Sequence, residues 1–449
     1  MSLSPKKLKT ELNSPTSLPK TYHIITIGCQ MNKADSERLA AFLEEQGIKP
    51  ASDFKRAGVV IINTCGVRQT AEDRVYGLVN QIRQANPTVK IVIAGCLSRR
   101  PDVQKRLAGK ADIFLPINEM ISLPTLLNGR GFQAHFSLDE IRLKQGEKYL
   151  QVPPKHTSRF TAYVPIGNGC NNFCSYCVVP YARGREVYRP AIAIITEVKS
   201  LVKNGYKEIV LIAQNVNSYH DSKYDFPKLL VQLIKIPGKF WLRFSSSHPK
   251  DVSSALIKTF SSSPKVCSHL HLAVQSGDDQ ILKAMNRKYT ISHYKQLIKK
   301  VRAVKPGVAI TTDVIVGFPG ETKVQFNNTI KLFKELNFDL AYIAQYSPRP
   351  GTVSAQMEDN VNRVEKKRRW QELTQLLEKS ALKNNRTYLG REVEVLIEGK
   401  NKRGKYYGKT SSYKNVLITE ADKKNLIGQF VIVNITAAMP FGLEGGLIK

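Results

Sequence analysis

Residues 167–190 read GNGCNNFCSYCVVPYARGREVYRP, and in them Cys170, Cys174 and Cys177 stand in a C-x3-C-x2-C spacing. Three thiolates on one short loop reach three corners of an iron–sulfur cubane, whereas a helix of that length would turn the first and third onto different faces. One iron is then left without a protein ligand, which is how a metal site is built when a substrate or cofactor must coordinate there. A zinc loop is the competing reading, but it lacks the second C-x2-C pair that zinc sites favour.

Three more cysteines fall at matching places. Cys29 ends the apolar run YHIITIG, Cys65 ends AGVVIINT and Cys96 ends KIVIAG, with the amphipathic stretches SERLAAFLEEQG and TAEDRVYGLVNQIRQA between the runs. Val- and Ile-rich runs alternating with helices predict a small α/β domain with a parallel sheet, and the C-terminal strand ends of such a sheet share one edge. That edge brings Cys29, Cys65 and Cys96 together as a second three-thiolate set; buried cysteines that merely end strands are the alternative. Gly28, Gly66 and Gly95 beside them allow close backbone approach. Asn32 and Asn63 are placed either to donate to cluster sulfur or to cap helices. Cys267 has no partner triad and reads as structural.

The elements that must position these residues divide the chain. Residues 1–20 form a basic tail expected to be disordered, and 21–128 the α/β domain. A polar linker spans 129–155, a central domain 156–386, and a final domain 387–449. In the centre, six β-like runs near 162–167, 208–214, 240–246, 268–275, 308–316 and 338–346 predict six βα units. That is two short of a closed barrel, so a partial one is expected, with the cysteine loop at the C-terminal end of its first strand. QNVNSY, SSSHP, VQSGDD and DVIVGFPGE end other strands on the same face. His248 and His271 lie there as core or active-site groups. After a charged helix over NRVEKKRRWQELTQLLEKSALKNNR, five short alternating runs predict a small β-barrel of OB-like size.

The chain of 449 residues carries a net charge of +31, which points to a polyanion such as nucleic acid. The final domain holds ten Lys/Arg against six Asp/Glu, with Tyr406, Tyr407 and Tyr413 among them, a mixture suited to RNA by stacking and phosphate contact. No run has the length of a membrane span and the N-terminus lacks the apolar core of a signal peptide. Seven cysteines without a disulfide pattern agree with a reduced, cytoplasmic protein.

The C-x3-C-x2-C loop resembles that of the radical S-adenosylmethionine (SAM) superfamily, in which the open iron holds SAM. The resemblance implies that Tyr176 lies near the adenine of SAM and that the segment containing Gly317 and Gly320 lies against SAM. With the N-terminal triad and the last domain, the whole from about Tyr22 onward resembles the methylthiotransferase branch. CVVPYARGREVYRP, LIAQNVNSY, SSSHP and HLAVQSGDD are most similar to the tRNA-2-methylthio-N6-dimethylallyladenosine synthases. Two departures, Ala213 where Gly is usual and Ala273 where Pro is usual, remove no ligand.

What the resemblance implies is a radical SAM barrel followed by a TRAM domain, the RNA-binding β-barrel. Two [4Fe–4S] clusters are implied, one on Cys170, Cys174 and Cys177 and one on Cys29, Cys65 and Cys96. The substrate is implied to be adenosine 37 of the tRNA anticodon loop, already carrying its N6-isopentenyl group. One SAM supplies a methyl group to cluster-borne sulfur and another the radical that opens C2 of the base. A flavodoxin or ferredoxin would deliver electrons and a separate source the sulfur, and the enzyme is expected to be a monomer. Threonylcarbamoyl-adenosine, a ribosomal-protein aspartate, or plain RNA binding by an iron–sulfur protein are the other functions open to this architecture. Arg183, Arg185 and Arg189 follow the cysteine loop, and their position leaves open whether they face SAM, phosphate or base.

Overall fold

The computed structural model describes residues 18–128, 148–419 and 425–448. The basic tail before residue 18 and the linker from 129 to 147 lie outside the described residues.

Strands Thr21–Thr26, Val59–Thr64 and Lys90–Gly95 form where the apolar runs predict them. Two short strands, Lys49–Pro50 and Ile113–Leu115, complete a five-stranded sheet whose pairings are all parallel. Val59–Thr64 is buried along its whole length, as a central parallel strand covered on both faces must be. Its side chains alternate between two cores. Val59 and Ile61 pack with Leu39 and Leu43 of the helix Gln30–Glu45, and Val60 and Ile62 with Val75, Val79 and Ile82 of the helix Gln69–Ala85. Tyr149 and Leu150, near the end of the stretch expected to be linker, are packed into the first of these cores.

The central domain carries all six expected strands: Thr161–Pro165, Glu208–Ile212, Trp241–Phe244, His269–His271, Ala309–Val316 and Leu340–Gln345. The first three and the last three form parallel ladders, and single bridges, Leu242 to Val266 and Ser247 to Leu272, join them. Thr161–Pro165 and Leu340–Gln345 remain as edges, so the barrel is partial. Alternation decides what faces where: Ile209, Leu211, Leu242, Leu270 and Ile310 meet the surrounding helices in the largest core. Asn362 caps the 24-residue helix Arg363–Arg386, accepting the Glu365 N–H at 2.9 Å, and Leu373 and Leu377 of that helix complete the same core.

Five strands, Glu392–Lys400, Tyr406–Thr410, Asn415–Ile418, Phe430–Met439 and Gly442–Leu447, close into the last barrel. Residues 411–414 of this barrel seal the N-terminal end of the central one. Arg243 donates to the Ser411 carbonyl at 3.2 Å and pairs with Glu208 at 2.9 Å, and Lys414 pairs with Asp339 at 2.5 Å. Tyr413 stacks on His269 with ring centres 4.7 Å apart. The expectation of three stacking tyrosines is thereby corrected. Tyr406 is buried in the small barrel and Tyr413 is held between domains, while Tyr407, pointing the opposite way from Tyr406 along the strand, is exposed. Cys267 is buried beside Trp241, Leu396 and Phe430 at the same junction, the structural place expected of it.

Candidate active site

Cys29, Cys65 and Cys96 each begin the turn that follows a parallel strand. Cys29 is the N-cap of the helix Gln30–Glu45 and its backbone N–H donates to Asn32 Oδ1 at 3.3 Å. Asn32 in turn donates to Asn63 Oδ1 and to the Thr64 carbonyl, both at 3.0 Å, and Asn63 donates to the Asn32 carbonyl and to Ser36. Asn32 thus completes the capping box of the helix Gln30–Glu45, the capping role open to it, and both asparagines are buried braces between turns. The turns abut closely: at Gly28, whose φ is +148°, a Cβ would stand 2.5 Å from Asn32 Oδ1 and 3.0 Å from the Cys65 Cβ, and one on Gly66 would stand 3.2 Å from that of Cys96. Burial, then the neighbouring Cys96 and Cys29, pushes the Cys65 thiol up to about 11.

The second loop is fixed from below. Ser175 donates through its N–H to the Met285 carbonyl at 3.1 Å and through its hydroxyl to the Ala284 carbonyl at 2.8 Å. Arg287 donates to Cys174 Sγ at 3.6 Å while also binding the Ala273 carbonyl at 2.7 Å, so the Ala273 departure touches only a backbone contact. Burial, then Cys174, Cys170 and, from the other triad, Cys96, pushes the Cys177 thiol up to about 12. The two cysteine sets thus face one another, and the Val178 side chain lies 3.4 Å from where a Gly66 Cβ would be.

This donor chemistry suits a polynuclear centre. Among the described residues no three His, Cys, Asp or Glu side chains are close enough to share one metal ion, so no zinc-type site is preformed. Each triad is nonetheless held by braced turns, with Cys65, Cys96 and Cys170 buried, Cys174 and Cys177 half-buried and Cys29 exposed. Cations stand beside both, Arg287 at Cys174 and Arg183 near Cys96 and Cys29, where they offset the charge of thiolates.

The helix that Cys29 caps also joins the domains. Asp35 accepts from Arg183 Nη2 at 2.7 Å and from the Tyr149 hydroxyl, and Glu37 accepts from His156 at 2.9 Å and from Thr157. Met31 and Ala34 pack on Val210 and Ile212 of the barrel. Two of the three arginines that follow the cysteine loop turn inward. Arg183 is buried between Asp35 and Asn168, and Arg189 between Glu197 at 2.5 Å and the Pro165 carbonyl. Arg185 lies 4.5 Å from the centre of the Phe173 ring. Gly317 and Gly320 both have positive φ, and their N–H groups are taken by Glu321 at 2.6 Å and Asn360 at 2.8 Å. A side chain on Gly317 would run into Lys366, so the close approach it permits is to the helix Arg363–Arg386.

Between the loops lies a cavity of about 780 Å³. Its wall takes Tyr176, Cys177 and Val178 from the cysteine loop, residues 67–70 from the turn after Cys65, and Gln275, Asp313 and Tyr342–Tyr346 positions from the barrel strand ends. Trp370 and Phe441 close it from the long helix and the last domain. Val67, Ile315, Ile343, Trp370 and Phe441 make much of that wall apolar. His271 stands behind Asp313 at 3.2 Å, whereas His248 is buried elsewhere, next to Tyr289, where burial and then Arg287 and Lys250 hold it down to about 2. Arg287, Arg349, Trp370 and Phe441 were not legible as site residues. Nothing in their local sequence marks them, because each reaches the site from an element whose packing, not its motif, brings it there.

Comparison with known proteins agrees with this three-part build. Residues 21–115 match the uncharacterized protein family UPF0004, 164–333 the Radical SAM superfamily and 386–448 the TRAM domain. The fold resembles the radical S-adenosylmethionine methyltransferase TsrM from Kitasatospora setae, with a TM-score of 0.56 over 76% of this chain and 77% of that one at 15% identity. The cobalamin-dependent radical enzyme OxsB gives 0.52 over 81% and 56% at 12% identity. The cysteine loop at the mouth of the partial barrel therefore defines a radical SAM enzyme, a class that works through an iron–sulfur cluster and SAM. Among curated relatives, the tRNA-2-methylthio-N(6)-dimethylallyladenosine synthase of Carboxydothermus hydrogenoformans is 41% identical, covering 96% of this chain and 99% of its own. That of Clostridium tetani is 41% identical over 97% and 98%. The chain belongs to the tRNA-2-methylthio-N(6)-dimethylallyladenosine synthase family. Among the described residues no helix is long and apolar enough to cross a membrane.

Proposed function

We propose that the protein adds a methylthio group to C2 of N6-isopentenyl-adenosine 37 in tRNA. Two [4Fe–4S] clusters, one on each cysteine triad, and two molecules of SAM serve the reaction. Bound there, these groups supply the one-electron chemistry that opens an unactivated aromatic C–H bond and the sulfur that replaces its hydrogen. The observation that carries the reading is the cavity that Cys177 and residues 67–70, the segment after Cys65, line together. A base extruded from the loop of a tRNA has one largely apolar space that touches the Cys177 loop and the turn after Cys65 together.

The chain's own residues do the rest. Tyr176 offers a ring beside Cys177 for stacking on an adenine, and Gly317 and Gly320 shape the neighbouring turn without free N–H groups. Trp370 and Phe441, both partly exposed, present apolar surface at the cavity's side away from Cys177 for a substrate to cover. Val67, Ile343 and Phe441 suit an isopentenyl chain, and Arg183 and Arg189 are paired with Asp35 and Glu197 away from the cavity wall. A flavodoxin- or ferredoxin-type donor and an external sulfur source complete the inventory, and Tyr407 with the basic last domain supports RNA contact. Mass spectrometry of tRNA nucleosides from cells lacking the protein is the test. Isopentenyl-adenosine should accumulate and its methylthio form vanish; loss of methylthio-threonylcarbamoyl-adenosine instead would overturn the substrate.

A further inference from the structure

Among the described residues Asp313 is the only carboxylate lining the cavity, and its side chain keeps 38% of its exposure. It lies on the strand Ala309–Val316 beside Gln275. Behind it runs a file of hydrogen-bonded side chains: Asp313 Oδ2 to His271 Nε2 at 3.2 Å, His271 Nδ1 to Thr311 Oγ1 at 3.0 Å, and Thr311 Oγ1 to His269 Nε2 at 2.9 Å.

With both rings neutral, that file runs in one direction. Burial, then Arg243 and His271, keep His269 neutral, so its ring carries a single proton. His269 Nδ1 meets no partner among the described residues, and a buried lone pair is tolerated there better than a buried N–H. The proton therefore belongs on Nε2, donated to Thr311 Oγ1. The one hydroxyl hydrogen of Thr311 then goes to His271 Nδ1, which leaves His271 to carry its own proton on Nε2 and donate it to Asp313. Asp313 Oδ2 is thereby occupied, and Oδ1 accepts no hydrogen bond among the described residues.

We propose that Asp313, oriented by the His269–Thr311–His271 file, reads the N6–H of the substrate adenine and rejects N6 substituents that carry negative charge. This rests on the function proposed above. An N6-alkylated adenine keeps one amine hydrogen, and an acceptor-only carboxylate, the one carboxylate among the described residues of this wall, is its complement. The same carboxylate opposes the anionic end of a threonylcarbamoyl group. Among the described residues the cavity is lined by two arginines: Arg349, bound to Gln69 at 2.7 Å and 3.8 Å from Glu72, and Arg68, which is exposed to solvent. Rejection by an unpaired polar group discriminates more strongly than the fit of a few methylenes.

The file makes a specific prediction for Asp313→Asn. His271 Nε2–H must still be accepted, so the new amide turns its oxygen to His271 and its NH2 to the cavity, donor against donor. Thr311→Val, which frees the His271 tautomer, should let that amide flip and restore an acceptor. The experiment measures binding, not turnover, with labelled anticodon stem-loops carrying N6-isopentenyl-adenosine or N6-threonylcarbamoyl-adenosine, and with SAM by equilibrium dialysis. The full chain is used, with its clusters reconstituted. Asp313→Asn should weaken the isopentenyl stem-loop roughly tenfold or more, the worth of a hydrogen bond to a charged group, and narrow its preference over the threonylcarbamoyl one. SAM affinity should stay within about twofold, and the Asp313→Asn/Thr311→Val protein should recover part of the loss, which a merely structural role would not produce.

A stem-loop with 6-isopentenyloxypurine, the same shape without the N–H, tests wild type directly and should lose a similar factor, so the inference does not hang on one variant folding. An unchanged stem-loop preference in Asp313→Asn, undiminished binding of the oxygen analogue, or a loss confined to SAM would overturn it. Wild type that fails to prefer the isopentenyl stem-loop would overturn the proposed substrate itself.

Discussion

Consider the removal of one charge from the joint between the first two domains. Asp35 and Arg183 are both buried and paired at 2.7 Å, and Asp35 also receives the Tyr149 hydroxyl. Burial alone would lower the Arg183 pKa; Asp35, with Cys96 and Cys29 beyond it, holds it up. Asp35→Asn leaves a guanidinium in the interior opposite a neutral amide. Breaking a buried pair from one side costs about 3–5 kcal/mol, and because Asn still accepts one hydrogen bond the lower end applies, about 3 kcal/mol. Arg183→Met added to it removes the stranded cation, and the double variant should return to within about 1 kcal/mol of wild type.

The assay is hydrogen exchange of the amides of the helix Gln30–Glu45 in the metal-free protein. It reads local opening without assuming that three domains unfold together. About 3 kcal/mol corresponds to roughly a hundredfold faster exchange for Asp35→Asn, largely reversed in the double variant. Exchange within about threefold of wild type for the single variant, or a double variant as labile as the two singles combined, would refute the view that this pair holds the joint.

Two further outcomes are expected. Anaerobic reconstitution should load about eight irons, and changing Cys170, Cys174 and Cys177 together to Ala should leave about four and abolish SAM cleavage, read by iron analysis and by 5′-deoxyadenosine formation; cleavage by the triple variant would contradict the assignment. Folded His248 stays neutral to about pH 2, whereas in the unfolded chain it takes a proton near its usual 6.5. Its burial therefore costs stability as pH falls below about 6.5, and thermal melts at pH 7.5 and 5 should show His248→Gln gaining on wild type toward acid; a constant gap would deny this.

The parts of the molecule that follow from local pattern could be read from the chain. The runs around Val59–Thr64 and Ala309–Val316 are largely apolar because both faces of a parallel strand are covered; Cys65 follows the first and Asp313 lies within the second. Contacts between distant segments could not. Arg183 and Asp35 are 148 residues apart, and nothing near either says that the arginine turns inward and away from the cavity. Tyr406 and Tyr413 looked like RNA contacts because composition does not tell the inner face of a small barrel from the outer, nor either from a domain junction. Gly317 suggested a ligand's approach, whereas the helix Arg363–Arg386 fills that space.

The contact of residues 411–414 with Arg243, His269 and Asp339 bears on how this protein can be taken apart. A chain cut after residue 386 would lose more than an RNA handle. It would uncork the floor of the central barrel and wet Arg243, His269 and the first link of the file that ends at Asp313. Weak activity in such a truncation would then report a drowned interior as much as a missing grip on the nucleic acid. Surface changes such as Tyr407→Ala, which leave the stopper in place, separate the two. By the same reasoning the last domain is not an exchangeable adaptor: any replacement must bring an aromatic ring for His269 and a cation for Asp339.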